Sequence, residues 1–108
     1  MKFKLIALIF LIVAVAGCAQ QAAVAPVRTN EVSTEGFKFE PSNILVNVGD
    51  TVTWSQKHDV VQTIVSLGLF ESEVLKNGDQ FSWTFTEKGT YDYYCSIHPC
   101  MRGSVIVE

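Results

Sequence analysis

From Val32 to the C-terminus, apolar residues recur mainly at every second position, the pattern of strands with one face buried and one face in water. Phe37 and Phe39 alternate with Lys38 and Glu40. Ile44, Val46 and Val48 alternate with Leu45 and Asn47, and Val52 and Trp54 with Thr51, Thr53 and Ser55. Phe81, Trp83 and Phe85 repeat the pattern, and Tyr91, Tyr93 and Cys95 share one face. Ser104 to Val107 supplies a last strand. Turn signals at Val48-Gly49-Asp50-Thr51, Lys76-Asn77-Gly78-Asp79 and Glu87-Lys88-Gly89-Thr90 separate the runs. Many short strands at this spacing predict an all-β sandwich or barrel. The aromatic residues Trp54, Trp83, Phe85, Tyr91 and Tyr93 fall on inward positions and are expected to pack the core. Only Glu71 to Leu75 has the spacing of a helical turn.

The chain has 108 residues, room for one domain, and its start reads differently from the rest. Lys2 and Lys4 precede an uninterrupted apolar and small run from Leu5 to Ala19. That run is shorter than the roughly 18 residues of a membrane-spanning helix and has the pattern of a targeting peptide. Val15-Ala16-Gly17-Cys18 resembles the processing site of a prokaryotic lipoprotein, in which the cysteine is acylated and becomes the mature N-terminus. An ordinary secretory peptide or an uncleaved anchor with an incidental cysteine is the competing reading. The expected division is a signal peptide at residues 1–17, a lipid-anchored tether at residues 18–30 and one domain at residues 31–108. Export from the cytoplasm is common to the main readings, and membrane attachment would run through lipid on Cys18.

From Cys18 onward six Lys and Arg face eleven Asp and Glu, a net charge of −5. A polyanion such as nucleic acid is excluded as a natural partner. An acidic surface can steer a basic protein partner, although it also serves simply to keep a domain in solution.

Soft and borderline metal donors gather near the C-terminus: Cys95, His98 and Met101, each three residues after the last. Thiolate and thioether favour Cu(I), and imidazole also supports Cu(II). A site acceptable to both oxidation states and held by a stiff sandwich needs little rearrangement when an electron arrives or leaves. The cysteine ends an aromatic run, Tyr91-Asp92-Tyr93-Tyr94, and the methionine precedes the last strand.

Gly89-Thr90-Tyr91-Asp92-Tyr93-Tyr94-Cys95-Ser96-Ile97-His98-Pro99, followed by Met101-Arg102-Gly103, resembles the ligand loop of the plastocyanin and amicyanin family of cupredoxins, in its short, amicyanin-like form. Phe39-Glu40-Pro41, Val48 to Trp54 and Gly68-Leu69-Phe70 are similar to further family segments in the same order. The resemblance implies a Greek-key β-sandwich of about seven to eight strands with one type 1 copper ion at one end. Cys95 would be the short covalent ligand, His98 an equatorial imidazole and Met101 the weak axial donor.

Three positions depart from the pattern, Gln62, Gln56 and Cys100. The family's second equatorial histidine follows the tryptophan by eight residues, and Gln62 stands there after Trp54; Gln56 stands where a structural asparagine is usual. Gln62 offers a neutral amide oxygen, a harder and weaker donor to copper than imidazole. His58 is the one spare imidazole, but four residues of extended chain would hold it roughly 13 Å from Gln62. It ligates only if that loop folds back, and the reading preferred from the sequence puts it in solvent between Lys57 and Asp59.

Cys100 replaces the bulky residue usual between the His-Pro pair and the methionine. It fills an apolar niche, pairs with Cys95 in a disulfide that would remove the thiolate, or joins the metal in a Cys-His-Cys cluster suited to Cu(I) or zinc. The first is preferred.

The expected function is single-electron transfer between extracytoplasmic partners such as a cytochrome, an oxidase or a dehydrogenase, by a membrane-tethered monomer with an atypical copper site. The alternatives are a Cu(I) delivery or sequestration module and a binding domain of the same fold that has lost copper. No Ser-His-Asp, paired-carboxylate or phosphate-loop arrangement points to catalysis.

Overall fold

Strands with one apolar face are stable only when something covers that face, and here two sheets cover each other. In the computed structural model, residues 24–108 are described; the stretch expected to be a signal peptide, Cys18 and the expected tether up to residue 23 lie outside the described residues. Ten strands follow in order: β1 (Val27–Arg28), β2 (Glu31–Glu35), β3 (Lys38–Glu40), β4 (Asn43–Val46), β5 (Thr51–Gln56), β6 (Val65–Ser66), β7 (Phe70–Glu71), β8 (Gln80–Thr84), β9 (Gly89–Tyr94) and β10 (Arg102–Val107). One sheet has the order β1-β4-β10-β9-β6-β7 and the other β3-β2-β5-β8. The chain crosses repeatedly between them, so neighbours such as β2 with β5 and β4 with β10 are parallel. This is the expected all-β sandwich with Greek-key crossovers. The count exceeds seven to eight because β1, β6 and β7 are two-residue pieces.

The alternation places the core. Val52, Trp54, Phe85, Tyr93, Cys95, Val105 and Val107 are buried with Phe39, Ile44 and Val46, and Phe81, Trp83 and Tyr91 pack against them half-buried. On the outer face of β5 and β8, hydroxyls pair across the strands, Thr51 with Thr84 at 2.7 Å and Thr53 with Ser82 at 2.9 Å. Residues 24–30 are not detached from the sandwich. Val27 and Arg28 pair with β4, Asn43 donates to the Val24 carbonyl at 3.0 Å, and Arg28 meets Glu108 at 2.9 Å.

Three local expectations fail. Phe37 does not join Phe39 on the inner face: with Gly36 it makes the β2–β3 turn at φ 61°, and the residue is 52% exposed. Val48 is also exposed, because β4 ends at Val46 and the Asp50 carboxylate accepts the Asn47 N–H at 2.8 Å to form a turn. The segment from Glu71 to Leu75 makes no helical turn. Its backbone is taken by distant partners, Ser72 N–H by the Ile64 carbonyl at 2.8 Å and Leu75 N–H by the Gln62 carbonyl at 2.7 Å.

Tyr93 and Gly103 face each other across β9 and β10, and a Cβ at position 103 would fall on the Tyr93 ring and the Ser42 carbonyl. Backbone cannot yield as a flexible side chain can. Gly103→Ala is therefore expected to lower stability by about 1–3 kcal/mol in urea unfolding.

The Tyr93 hydroxyl donates to the Ser42 carbonyl at 3.2 Å, and burial pushes its phenol well above the usual 10.0. The native state keeps this proton where the unfolded chain releases it. Its contribution is thus intact below pH 10 and is lost as pH climbs towards the raised native value. Unfolding free energies measured between pH 8 and pH 12 should fall above about pH 10, with a shallower fall in Tyr93→Phe.

Candidate metal centre

Three turns meet at one end of the sandwich: the β2–β3 turn with Phe37, the β5–β6 connection with His58 and Gln62, and the β9–β10 loop from Cys95 to Met101. The last is pinned from within. Cys95 N–H donates to the Met101 carbonyl at 3.1 Å, and Met101 N–H to the His98 carbonyl at 2.8 Å. Arg102 Nε closes its far side on the Pro99 carbonyl at 3.2 Å. Cys95 and Met101 are buried in the common core cluster, and His98 is half-buried at the surface.

The β5–β6 connection is docked onto this loop. Gln62 and Leu75 exchange both backbone hydrogen bonds, which seats residues 62–64 in extended conformation beside Cys95. Thr63 N–H points at Cys95 Sγ from 3.4 Å, and the Thr63 hydroxyl accepts Ser96 N–H at 2.8 Å. The N–H dipole is directed at the atom on which a thiolate carries its charge.

Gln62 is fully buried, and its Oε1 accepts from the Cys95 thiol at 3.0 Å and stands 3.0 Å from His98 Nδ1. Cys95 Sγ and His98 Nδ1 are 3.9 Å apart. Sulfur, imidazole nitrogen and amide oxygen thus form a compact triangle from three separate positions in the chain. An ion with bonds of about 2.0–2.3 Å at the centre of such a triangle separates its donors by roughly 3.5–3.8 Å. The sulfur–nitrogen edge already has that length. The two edges to oxygen have hydrogen-bond lengths; with the thiol deprotonated and the imidazole hydrogen on Nε2, lone pairs of all three atoms would face one space. A soft sulfur, an imidazole and a neutral oxygen, with a buried thioether in the same cluster, suit copper by their chemistry.

His58 is not held away from Gln62. Residues 57–61 do not run extended, because the buried Gln56 side chain gathers them. Its Oε1 accepts from the Thr34 hydroxyl and from His58 N–H, the latter at 2.8 Å, while its Nε2 donates to the carbonyls of Val60 at 2.8 Å and Leu75 at 3.3 Å. His58 is consequently half-buried, with Nδ1 3.3 Å from Gln62 Nε2, instead of lying in solvent.

Cys95 is a free thiol, so the Cys95–Cys100 disulfide is not formed. Nor does Cys100 build a Cys-His-Cys cluster: among the described residues no three His, Cys, Asp or Glu side chains come together to hold an ion.

Phe37 joins the site although its alternation with Lys38 marks it for the core. Its ring meets His58 edge-on at 4.8 Å and His98 at 4.9 Å, so one exposed aromatic braces both imidazoles. Gly36 preceding it was the available signal, since a glycine within an alternating run marks a turn or bulge.

A family model described as a cupredoxin-like domain matches residues 5–107. Amicyanin of Paracoccus denitrificans is 43% identical over 78 residues, which cover 67% of this chain and 60% of that protein. The chain thus spans less than two thirds of that relative. Amicyanin of Paracoccus versutus is 36% identical over 93 residues, 81% of this chain and 70% of that protein. Among solved structures, a reduced amicyanin variant superposes with a TM-score of 0.70 at 38% identity, covering 72% of this chain and 80% of that one. A variant described in its Cu(I) form gives the same score and coverage at 37% identity.

Proposed function

This chain belongs to the cupredoxin-like family, and from that membership we propose that it carries single electrons on one copper ion held by Cys95, His98, Met101 and the amide oxygen of Gln62. The observation that carries this reading is the convergence of Cys95 Sγ, His98 Nδ1 and Gln62 Oε1 within 3.0–3.9 Å of one another. Copper supplies a reversible one-electron couple. The protein supplies what makes that couple fast. The pinned loop and the docked 62–64 segment hold the donors still, the core beneath Cys95 and Met101 excludes water, and half-buried His98 leads to the surface.

The donor set is atypical, with one imidazole and an amide oxygen in place of two imidazoles. Fewer nitrogen donors weaken Cu(II) more than Cu(I), because two sulfurs still suit the reduced ion. That observation favours one second reading, a module that binds Cu(I) for delivery or sequestration. The basic start and the apolar run before Cys18 support a carrier outside the cytoplasm. Lipid on Cys18 would tether it to the membrane, as a monomer whose acidic surface meets a basic redox partner.

Titration of the purified protein with Cu(II) tests the reading. A visible sulfur-to-copper charge-transfer band should appear at one equivalent, bleach with ascorbate, return on reoxidation and be absent from Cys95→Ser. Tight Cu(I) binding without a Cu(II) band would support the handling module, and no binding by thiol-reduced protein would overturn both.

A further inference from the structure

The carboxamide of Gln62 has two unlike ends. Oε1 can give a lone pair to a cation, whereas Nε2 carries two hydrogens and repels one. Which end faces Cys95 and His98 depends on what holds the other end, since rotation of an amide by half a turn leaves its shape nearly unchanged. Here the other end is held: Gln62 Nε2 lies 3.3 Å from His58 Nδ1. An amide N–H donates, so His58 accepts on Nδ1 and carries its own hydrogen on Nε2.

His58 is itself fixed on two sides. Its backbone N–H is bound by Gln56 Oε1 at 2.8 Å, and its ring packs edge-on against Phe37 at 4.8 Å. We propose, resting on the copper reading above, that His58 is a positioning residue of the metal centre: it accepts from Gln62 Nε2 and thereby aims Gln62 Oε1 at the ion. It is not a ligand. Its partner is the end of the amide that points away from Cys95 and His98, and these three side chains do not form a metal-holding cluster.

This assigns work to the one histidine outside the loop and gives the Gln56 network a consequence for chemistry. Partners of metal-binding side chains typically change metal affinity 10–100-fold when removed.

Two substitutions separate hydrogen bonding from packing. His58→Phe keeps a ring against Phe37 and deletes the acceptor; His58→Asn loses the ring but offers Oδ1 near the position of Nδ1. In the metal-free full chain, the Gln62 side-chain amide should show slowed hydrogen exchange by 15N–1H NMR. His58→Phe should speed that exchange by roughly tenfold or more, and His58→Asn should restore it. With Cu(II) bound, His58→Phe should lose about tenfold in affinity and change the copper hyperfine splitting in the EPR spectrum, with recovery in His58→Asn. In a Gln62→His background, the His58→Phe change should have no effect on either quantity.

Unchanged Gln62 exchange in His58→Phe would overturn the proposal. So would an equal loss of affinity in the Gln62→His background, which would show a purely structural role. Pulsed EPR showing two coordinated imidazoles in the parent protein, one of them lost in His58→Phe, would make His58 a ligand and overturn it too. If no variant binds copper, the copper reading fails, and the metal-free exchange measurement still decides whether His58 orients the amide.

Discussion

Replacing Gln62 by histidine is expected to raise Cu(II) affinity by roughly two orders of magnitude, about 2.7 kcal/mol. The side chain at this position is fully buried and lies within hydrogen-bonding distance of both Cys95 and His98. An imidazole there exchanges a weak neutral oxygen for a donor that suits both oxidation states of copper. The gain should fall mainly on Cu(II), since the reduced ion is already served by sulfur. The reduction potential should therefore drop as affinity for the oxidised form rises. Competition with a chelator of known Cu(II) affinity measures the first effect and a redox titration the second. An unchanged affinity would mean that position 62 does not face the ion.

The second large effect is expected at Gln56, which touches no metal donor. Gln56→Ala would leave the Thr34 hydroxyl and the His58 N–H without their acceptor and the Val60 carbonyl without its side-chain donor, while the Leu75 carbonyl keeps the Gln62 N–H. The Thr34 hydroxyl is buried, and a group stranded in the interior costs about 1–3 kcal/mol unless water enters, with the cavity left by the side chain adding to it. A loss of about 2–4 kcal/mol is expected in denaturant unfolding. Residues 57–61 should also gain freedom, seen as faster amide hydrogen exchange confined to that loop. Gln56→Asn, one methylene shorter, should recover only part of the stability, because the amide no longer spans from Thr34 to Val60.

These expectations rest on features of differing legibility. Alternation at Val52 and Trp54, at Phe81 and Trp83, and at Tyr91, Tyr93 and Cys95 was readable because burial on one face imposes a period of two. The metal loop was readable because Cys95, His98 and Met101 lie within seven residues; Gln62 entered only through the family resemblance, and the structure sets its amide beside Cys95 and His98. What escaped depends on contacts between distant segments. Glu71 to Leu75 has helical spacing, yet its backbone is claimed by Gln62 and Ile64. Phe37 has the inward phase, yet a turn at Gly36 carries it outside to brace two imidazoles. His58 seemed too far from Gln62 because distance along an extended chain sets only an upper limit on separation. The buried amide of Gln56 closes that distance, and nothing local to His58 announces it.

A sandwich end that brings a thiol, an imidazole and an amide oxygen together also limits what the site can be. Among the described residues no third His, Cys, Asp or Glu joins Cys95 and His98, so a closed zinc site of four nitrogen and sulfur donors is not built here. Cys95 keeps its thiol, so no disulfide to Cys100 removes the sulfur donor, and Cys100 is exposed instead of filling an apolar niche.

X-ray absorption at the copper edge of the loaded protein tests the central claim most directly. The account predicts one short copper–sulfur bond, one imidazole and one further light donor, with the short sulfur contribution lost in Cys95→Ser. A spectrum with two imidazoles, or with no sulfur bound to copper, would contradict it.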